Sequence, residues 1–304
     1  MGKNKLTRRK FMATMAAGTG SVLLGHIGNA LPAEKKARFY DPFKIIKLGK
    51  TGIKTTLLGM GTGYSGYNRS SSITRAGVAE SLIRTAYEKG IRYFDCADSY
   101  GTHPFTTSAL KGVDRESYVI GTKMWITGGG IPDSDKGFPL TVVDRFRKEL
   151  NTDYIDIVQL HCMTEGGWTE KYKRYLDELE ELKVKKIIRA HGVSVHSFDV
   201  LEEAAASPWV DVVHVRINPF GESMDKRDAS LVVPVIEKFH KAGKGVIAMK
   251  LIGGGKLRDD SEKIDQSLKF VLGLGTVDML IIGFEKPEHI DTVSLYTSPS
   301  PRDS

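Results

Sequence analysis

Cysteine is nearly missing from this chain: its 304 residues include two, Cys96 and Cys162. Two thiols build neither a disulfide framework nor a thiolate metal centre, so no metal site is expected. Nor does charge of one sign prevail. Lys and Arg number 44 against 37 Asp and Glu, a net charge of +7. Part of the excess sits at the start of the chain, at Lys3, Lys5, Arg8, Arg9 and Lys10. Elsewhere acids and bases interleave, without the continuous basic face of a nucleic-acid binder. Long hydrophobic runs are also lacking. The best candidate, Phe11 to Ile27, is diluted by Gly, Ser, Thr and His26, so no stable membrane span is expected. What is present is an ordinary globular mixture, 40% hydrophobic and 27% charged, long enough for one large α/β domain or two smaller ones.

The segment "LTRRKFMATMAAGTGSVLLGHIGNALPA" runs from basic residues through a weakly apolar stretch to small residues at Gly28–Ala30 and Ala33. That is the order of a secretory signal. "TRRKFM", Thr7 to Met12, resembles the twin-arginine export signal of bacteria. Residues 1–33 are therefore expected to be a cleaved leader that engages the twin-arginine export machinery and delivers a folded protein to the periplasm or another extracytoplasmic space. Folding before export suits a chain with few cysteines and a cytoplasmic cofactor. The alternative is a basic arm followed by an amphipathic helix.

From residue 42 onward, β-rich runs alternate with helical periods. The strand candidates are "TLLGMG" (56–61), "RYFDCA" (92–97), "YVIGTK" (118–123), "YIDIVQLH" (154–161), "IIRAHGVSV" (187–195), "VDVVHVRIN" (210–218), "GVIAMK" (245–250) and "VDMLIIGF" (277–284). Most are apolar without strict alternation, as strands buried on both faces are. Between them, stripes such as Val78, Leu82, Ile83 and Ala86, or Val232, Val235, Ile236 and Phe239, recur at helical spacing. Eight such units predict an α/β (β/α)8 TIM barrel over residues 34–293. An open doubly wound sheet is the alternative. It would require a glycine-rich turn leading into a helix, and "GMGTGYSGY" (59–67) leads into none. "KIIKLGKTGIKTT" (44–56) predicts a β-hairpin plugging the barrel floor, and the long glycine-rich stretch 124–140 predicts a loop over a site. The last helix, beginning at Pro287, is expected to be cut to about two turns, with 294–304 a non-native tail.

Chemistry in such a barrel sits at the C-terminal ends of the strands. Asp95 and Tyr100 lie at and beyond the second, Lys123 ends the third and His161 ends the fourth. A lysine and an aspartate buried together form an ion pair where either alone would be costly. The ammonium is expected to lower the phenol's pKa, making Tyr100 a general acid near neutral pH. His161 is expected to orient a carbonyl oxygen. Trp125 and Met163, just beyond Lys123 and His161, are expected to line the substrate pocket. Cys96 and Cys162 each follow one of the four, but side-chain alternation should turn Cys96 away from Asp95, which argues against a redox pair.

In this order the motifs resemble the aldo-keto reductase superfamily, from about Lys44 to Asp291. "KLGKTGIKTTLLGMGT" is similar to its opening hairpin and first strand, and "FDCADSYG" to its "FDTA..YG" signature. "GTK", "LH" and "GVS" follow in sequence. The resemblance implies that Asp95, Tyr100, Lys123 and His161 form a catalytic tetrad. It implies hydride transfer between NADP(H), in preference to NAD(H), and an aldehyde, ketone or sugar-like carbonyl, with Tyr100 as proton donor. Ser194 matches the serine meeting the carboxamide, His214 stands where many members have glutamine, and Ile217 where many have a tyrosine stacked on the nicotinamide. Lys250 and Gly253–Gly255 match the pyrophosphate loop, while Lys286 and His289 match the segment meeting the adenosine 2′-phosphate. Two other readings compete: a cofactor-binding sensor or partner subunit, motivated by Val195 and Ile217, and a barrel isomerase or lyase acting on sugars.

Overall fold

The computed structural model describes residues 40–297. The expected leader and most of the expected tail lie outside this range. The chain opens with a hairpin, β1 (Ile45–Lys47) against β2 (Lys54–Thr56), and the turn between them carries Gly49 and Gly52 at φ 52° and 75°. Eight parallel strands follow: β3 (Leu58–Gly61), β4 (Tyr93–Asp95), β5 (Val119–Met124), β6 (Ile155–Met163), β7 (Ile188–Val195), β8 (Val212–Arg216), β9 (Gly245–Met249) and β10 (Met279–Gly283). They close in chain order, β10 pairing with β3. The barrel and its plugging hairpin are as the pattern predicts; six of the eight strands fall inside their predicted runs, while β5 extends one residue beyond its run, to Met124, and β6 two residues, to Met163.

Alternation along these strands grades the barrel interior from apolar to polar. At the floor, Leu48 and Ile53 of the hairpin meet Tyr93, Val119, Ile157, Ala190, Val212 and Ile247, all buried in one cluster. Two residues further along the same strands stand Asp95, Gly121, Gln159, Gly192, His214 and Met249, and two beyond that Lys123, His161, Ser194 and Arg216. The intervening residues, among them Val158, Leu160, Val193, Val213 and Val215, face outward into the larger apolar cluster shared with the helices.

The helices bury the faces their spacing predicts. Leu82, Ile83 and Ala86 anchor Ala79–Glu88, and Val232, Val235, Ile236 and Phe239 anchor Ala229–Ala242, which ends on Gly243 in the left-handed region. Pro139–Leu150 buries Val142, Val143, Phe146 and Leu150 at the same spacing, Phe198–Ala206 buries Val200, Leu201 and Ala204, and both also carry local start signals. One is Pro139 in the first turn, and the other is Ser197, whose Oγ accepts from Val200 N. The final helix runs Pro287–Thr297, about three turns and not two. No helix among the described residues is long and apolar enough to cross a membrane.

The hairpin offers a test of the plug. A Cβ on Gly49 would lie 2.5 Å from the backbone of Lys244 and Gly245, whereas one on Gly52 would meet nothing within 4 Å. Both have positive φ, so both alanine variants carry the left-handed penalty of about 1–2 kcal/mol. Gly49→Ala should lose at least twice as much stability as Gly52→Ala in urea denaturation, because only there must the barrel floor move.

Candidate active site

The deepest polar contact in the mouth is an ion pair. Lys123 Nζ donates to Asp95 Oδ1 at 2.5 Å and to the Cys96 carbonyl oxygen at 3.0 Å, and the two residues are 1% and 3% exposed. Adjacent strands enforce the approach: β4 and β5 are in parallel register, and both side chains point to the axis. His214 Nε2, from the far wall of the barrel, lies 3.1 Å from the same carboxylate oxygen. Burial alone would raise the Asp95 pKa. The Lys123 ammonium and then His214 reverse this and hold it at about 2, below the usual 3.8. His214 itself is lowered, by burial against the pull of Asp95.

Tyr100 ends a tight turn, Asp98–Tyr100, closed by Gly101 at φ 65°. A Cβ on Gly101 would sit 1.9 Å from the Arg69 carbonyl oxygen, so only glycine fits. The buried Asp98 carboxylate accepts from Arg69 Nη2 at 3.1 Å and from both terminal nitrogens of Arg145, at 3.0 and 2.7 Å. Arg145 also holds Glu149, which reaches His103, which reaches Thr122 on β5. Over the other side of the phenol lies the glycine-rich segment after β3. Cβ atoms on Gly63 and Gly66 would fall 2.2 and 2.4 Å from the Tyr100 ring. These glycines therefore make room for a phenol.

The Tyr100 hydroxyl lies 3.4 Å from His161 Nε2, and the Lys123 ammonium lies 5.2 Å from the ring centroid. The expectation that this ammonium makes the phenol acidic is not met. Burial, followed by the Asp95 charge, pushes Tyr100 well above the ordinary phenol value. Lys123 spends its charge on Asp95 and the Cys96 carbonyl. His161 packs edge-on between Tyr100 and Trp125, centroids 5.3 and 5.1 Å away. Burial and then Lys123 keep it well below the usual imidazole range, hence neutral.

A cavity of about 440 Å³ runs from this centre along the ends of β9, β10 and β3, and Asp95, Tyr100, Lys250, Gly254, Gly255, Lys286 and His289 all line it. Gly253 is buried beneath, and the three glycines have φ of 56°, 65° and 92°. Ser194 is buried inside the barrel in register with His214, whose ring is turned to Asp95. Two expected contacts are overturned. Ile217 is fully buried in the outer apolar cluster with Val213 and Val215, because alternation turns it away from the axis. Met163 joins the same cluster at 1% exposure. A bulge between Leu160 and Met163, with Cys162 at φ 56°, sets its direction. Trp125 does flank the site, through His161. The cysteines are both free, and the Cys96 thiol faces Thr106 behind the strand, as alternation predicts. Among the described residues no cluster of His, Cys, Asp and Glu is arranged for a metal. Sequence patterns did not mark Asp98, Arg145 or Arg258, the last also lining the cavity. Only the acid inside "ADSYG" hints at the first.

Residues 57–271 match the family model of the aldo/keto reductase family. The chain belongs to that family. One aldo/keto reductase relative, "Probable aldo-keto reductase 1" of Glycine max, is 30% identical over 237 residues, 74% of this chain and 65% of the relative. The chain thus spans just under two thirds of that relative's length. A second, the "Uncharacterized oxidoreductase YqkF" of Bacillus subtilis, is 26% identical over 73% of this chain and 70% of its own. Among solved structures, aldo-keto reductase AKR11C1 from Bacillus halodurans superposes with a TM-score of 0.66 at 21% identity, covering 85% of this chain and 92% of that one. An aldo/keto reductase from Klebsiella pneumoniae in complex with NADP and acetate gives 0.63 at 16%, covering 84% and 92%. At these identities the likeness is one of fold.

The ion pair predicts both a mutational and a pH response. Asp95→Asn leaves a buried ammonium without its counter-ion and should lose about 3–5 kcal/mol in urea denaturation. Adding Lys123→Met should recover part of that loss, giving a non-additive cycle. Asp95 and Glu149 are both held at about 2 in the fold, below their usual 3.8 and 4.5. Folded pKa values below the unfolded ones add stability above the unfolded pKa and forfeit it as pH falls. Buried His161, His196 and His214 are held below the usual imidazole range and take up a proton only on unfolding, so the urea midpoint of the native chain should begin to decline below about pH 6.5 and fall more steeply from about pH 4.5 to 2.

Proposed function

We propose that this protein reduces an aldehyde, ketone or sugar-like carbonyl with a nicotinamide dinucleotide, NADP(H) in preference to NAD(H), and runs the reverse alcohol oxidation. The observation carrying the proposal is one continuous cavity whose lining includes the Tyr100 phenol, the Gly254–Gly255 turn, and Arg258 and Lys286 interspersed with Asp259 and Glu285. A dinucleotide fits what lines it. Gly254 and Gly255 leave the backbone open to a pyrophosphate, and Arg258 and Lys286, with the His289 ring beside them, line the cavity where a further phosphate would lie.

In this reading the bound cofactor supplies a hydride to the carbonyl carbon. The protein supplies the proton. Tyr100, kept protonated by burial, donates it to the carbonyl oxygen. Neutral His161, 3.4 Å from the phenol oxygen, faces the same point and orients that oxygen by a hydrogen bond. The phenolate left behind is buried, with His161 Nε2 3.4 Å from its oxygen, while Lys123, 5.2 Å from the ring centroid, stays paired with Asp95. Asp95, itself met by His214, and the Cys96 carbonyl hold Lys123 in position.

Tyr100→Phe should lower kcat by about 10²–10⁴ while leaving dinucleotide affinity within about twofold of the native value. Measured turnover of a carbonyl panel by NADPH absorbance, with Kd from fluorescence quenching, checks both. Turnover by the phenylalanine variant at the native rate would refute Tyr100 as proton donor. Because the acidic form is the active one and its pKa is raised, the native reduction rate should not fall between about pH 6 and 9. Lys286→Ala should raise KM for NADPH several-fold more than KM for NADH.

We also propose export of the folded protein through the twin-arginine route, from the "TRRKFM" sequence. Replacing Arg8 and Arg9 together by Lys should retain the full-length precursor in the cytoplasmic fraction on cell fractionation.

A further inference from the structure

We infer that the barrel mouth selects a carbonyl substrate bearing a carboxylate, which Arg216 seats with help from Lys250. The inference rests on the reductase reading of the site and specifies its substrate class.

Strand register supplies the geometry. On β8, Val212, His214 and Arg216 share the inward face: Val212 lies in the floor cluster and His214 reaches Asp95, so Arg216 tops the same column. On β7 the inward column runs Ala190, Gly192, Ser194 and ends in His196, just past the strand. Arg216 pairs in register with Met249 of β9, which lines the cavity beside Lys250. Lys250 leaves the strand at φ 62°. Three basic side chains thus crown adjoining strand ends, above the tetrad and beside the cavity that contains Tyr100.

The crown is built into the fold. The Asn218 amide nitrogen donates to the carbonyl oxygens of Glu222 and Lys250 at 2.8 and 3.0 Å, and its Oδ1 accepts from the backbone N–H of Phe220 and Glu222. This fully buried asparagine folds the segment after β8 back onto the rim and brings Asp225 to Arg216 as an ion pair. Asp225 is 1% exposed, while Arg216 keeps 15% exposure. Among the described residues Asp225 is the one acid paired with these cations, and Lys123 below is already neutralised by Asp95. The crown therefore carries surplus positive charge. Burial, and then the Arg216 and Lys250 charges, depress His196 to about 3, and Lys250 is itself lowered by burial and by Arg216. Two cations held beside each other in a half-buried site are relieved by an incoming anion, and a guanidinium presents a planar fork that matches a carboxylate.

The reaction balances as for any carbonyl reduction. NADPH gives a hydride to the carbonyl carbon and becomes NADP⁺, the oxygen takes one proton from Tyr100, and the substrate's carboxylate is unchanged.

The test compares para-carboxybenzaldehyde with para-carbamoylbenzaldehyde, which match in shape and differ in charge. The native enzyme should favour the carboxylate by about tenfold or more in kcat/KM. In Arg216→Gln the ratio should fall toward one, and in Lys250→Gln it should fall part of the way. Equal turnover of the two aldehydes by the native enzyme, or an undiminished ratio in Arg216→Gln, overturns the inference. So does a loss of NADPH affinity in Arg216→Gln with the ratio intact, which would give these cations to the cofactor. Equilibrium binding of the two corresponding benzyl alcohols, measured by calorimetry with NADPH present so that no hydride acceptor is available, reads the same contact without turnover and without any variant. Tighter binding of the carboxylate by a protein that reduces neither aldehyde would refute the reductase reading and support the anion seat, and equal binding would refute the seat.

Discussion

The site depends on one buried ion pair, Lys123 with Asp95. An ammonium and a carboxylate at 1% and 3% exposure are tolerable only together, and each is fixed by the other. Their strands are neighbours, so the pair also states the register of β4 against β5. From it the rest of the centre is placed. The backbone just beyond Asp95 turns into the Asp98–Tyr100 segment, and the Cys96 carbonyl that begins this excursion is itself bound by Lys123. His214 comes from the opposite wall to the same carboxylate. A defect in the pair would therefore reach the phenol, the imidazole and the barrel wall together.

A second set of charges positions the phenol from outside. Asp98, two residues before Tyr100, is gripped by Arg69 from the glycine-rich segment after β3 and by Arg145 from the helix Pro139–Leu150. Arg69 also reaches Asp135 in the long loop after β5, and Asn68 N donates to Gly130 O in that loop. Three connections around the mouth thus share one buried carboxylate. Surface ion pairs contribute little, but here the shared acid is 1% exposed and its bond to Arg145 is bidentate. The Tyr100 ring itself packs against Gly63 and Gly66, which cannot carry a side chain, and lies under the Lys123 ammonium. The phenol is thus placed by sterics at the ring and by charge at the turn that carries it.

What the sequence made legible was whatever repeats along it. Apolar runs marked all eight barrel strands, and polar residues at their ends marked Asp95, Lys123 and His161. Side-chain direction was legible only where alternation was applied, as for Cys96. Ile217 and Met163 were misassigned because direction near a strand end depends on register and on bulges. A bulge at Cys162 leaves no mark in composition. The Tyr100 pKa went astray for another reason. Residue types show that a cation is near a phenol, but not that the cation is already occupied and the phenol fully desolvated. Asp98 and Arg145 were missed because their meeting is long-range, and only "ADSYG" carries any local trace of it.

The interior columns explain why one barrel can hold both stability and chemistry. Along β8 the inward residues are Val212, His214 and Arg216: apolar at the floor, neutral and paired to Asp95 in the middle, charged at the rim. Along β5 they are Val119, Gly121 and Lys123. Each step of two residues moves from well-packed hydrocarbon toward groups whose solvation is incomplete. Charges deep in the mouth are matched one for one, since an unmatched charge there would be prohibitive. Charges at the rim need not be matched, because water shares the burden until a ligand displaces it. The imbalance at Arg216 and Lys250 is therefore affordable only at the height where a substrate enters, and at that height it can discriminate between anionic and neutral ligands without undermining the paired charges beneath it.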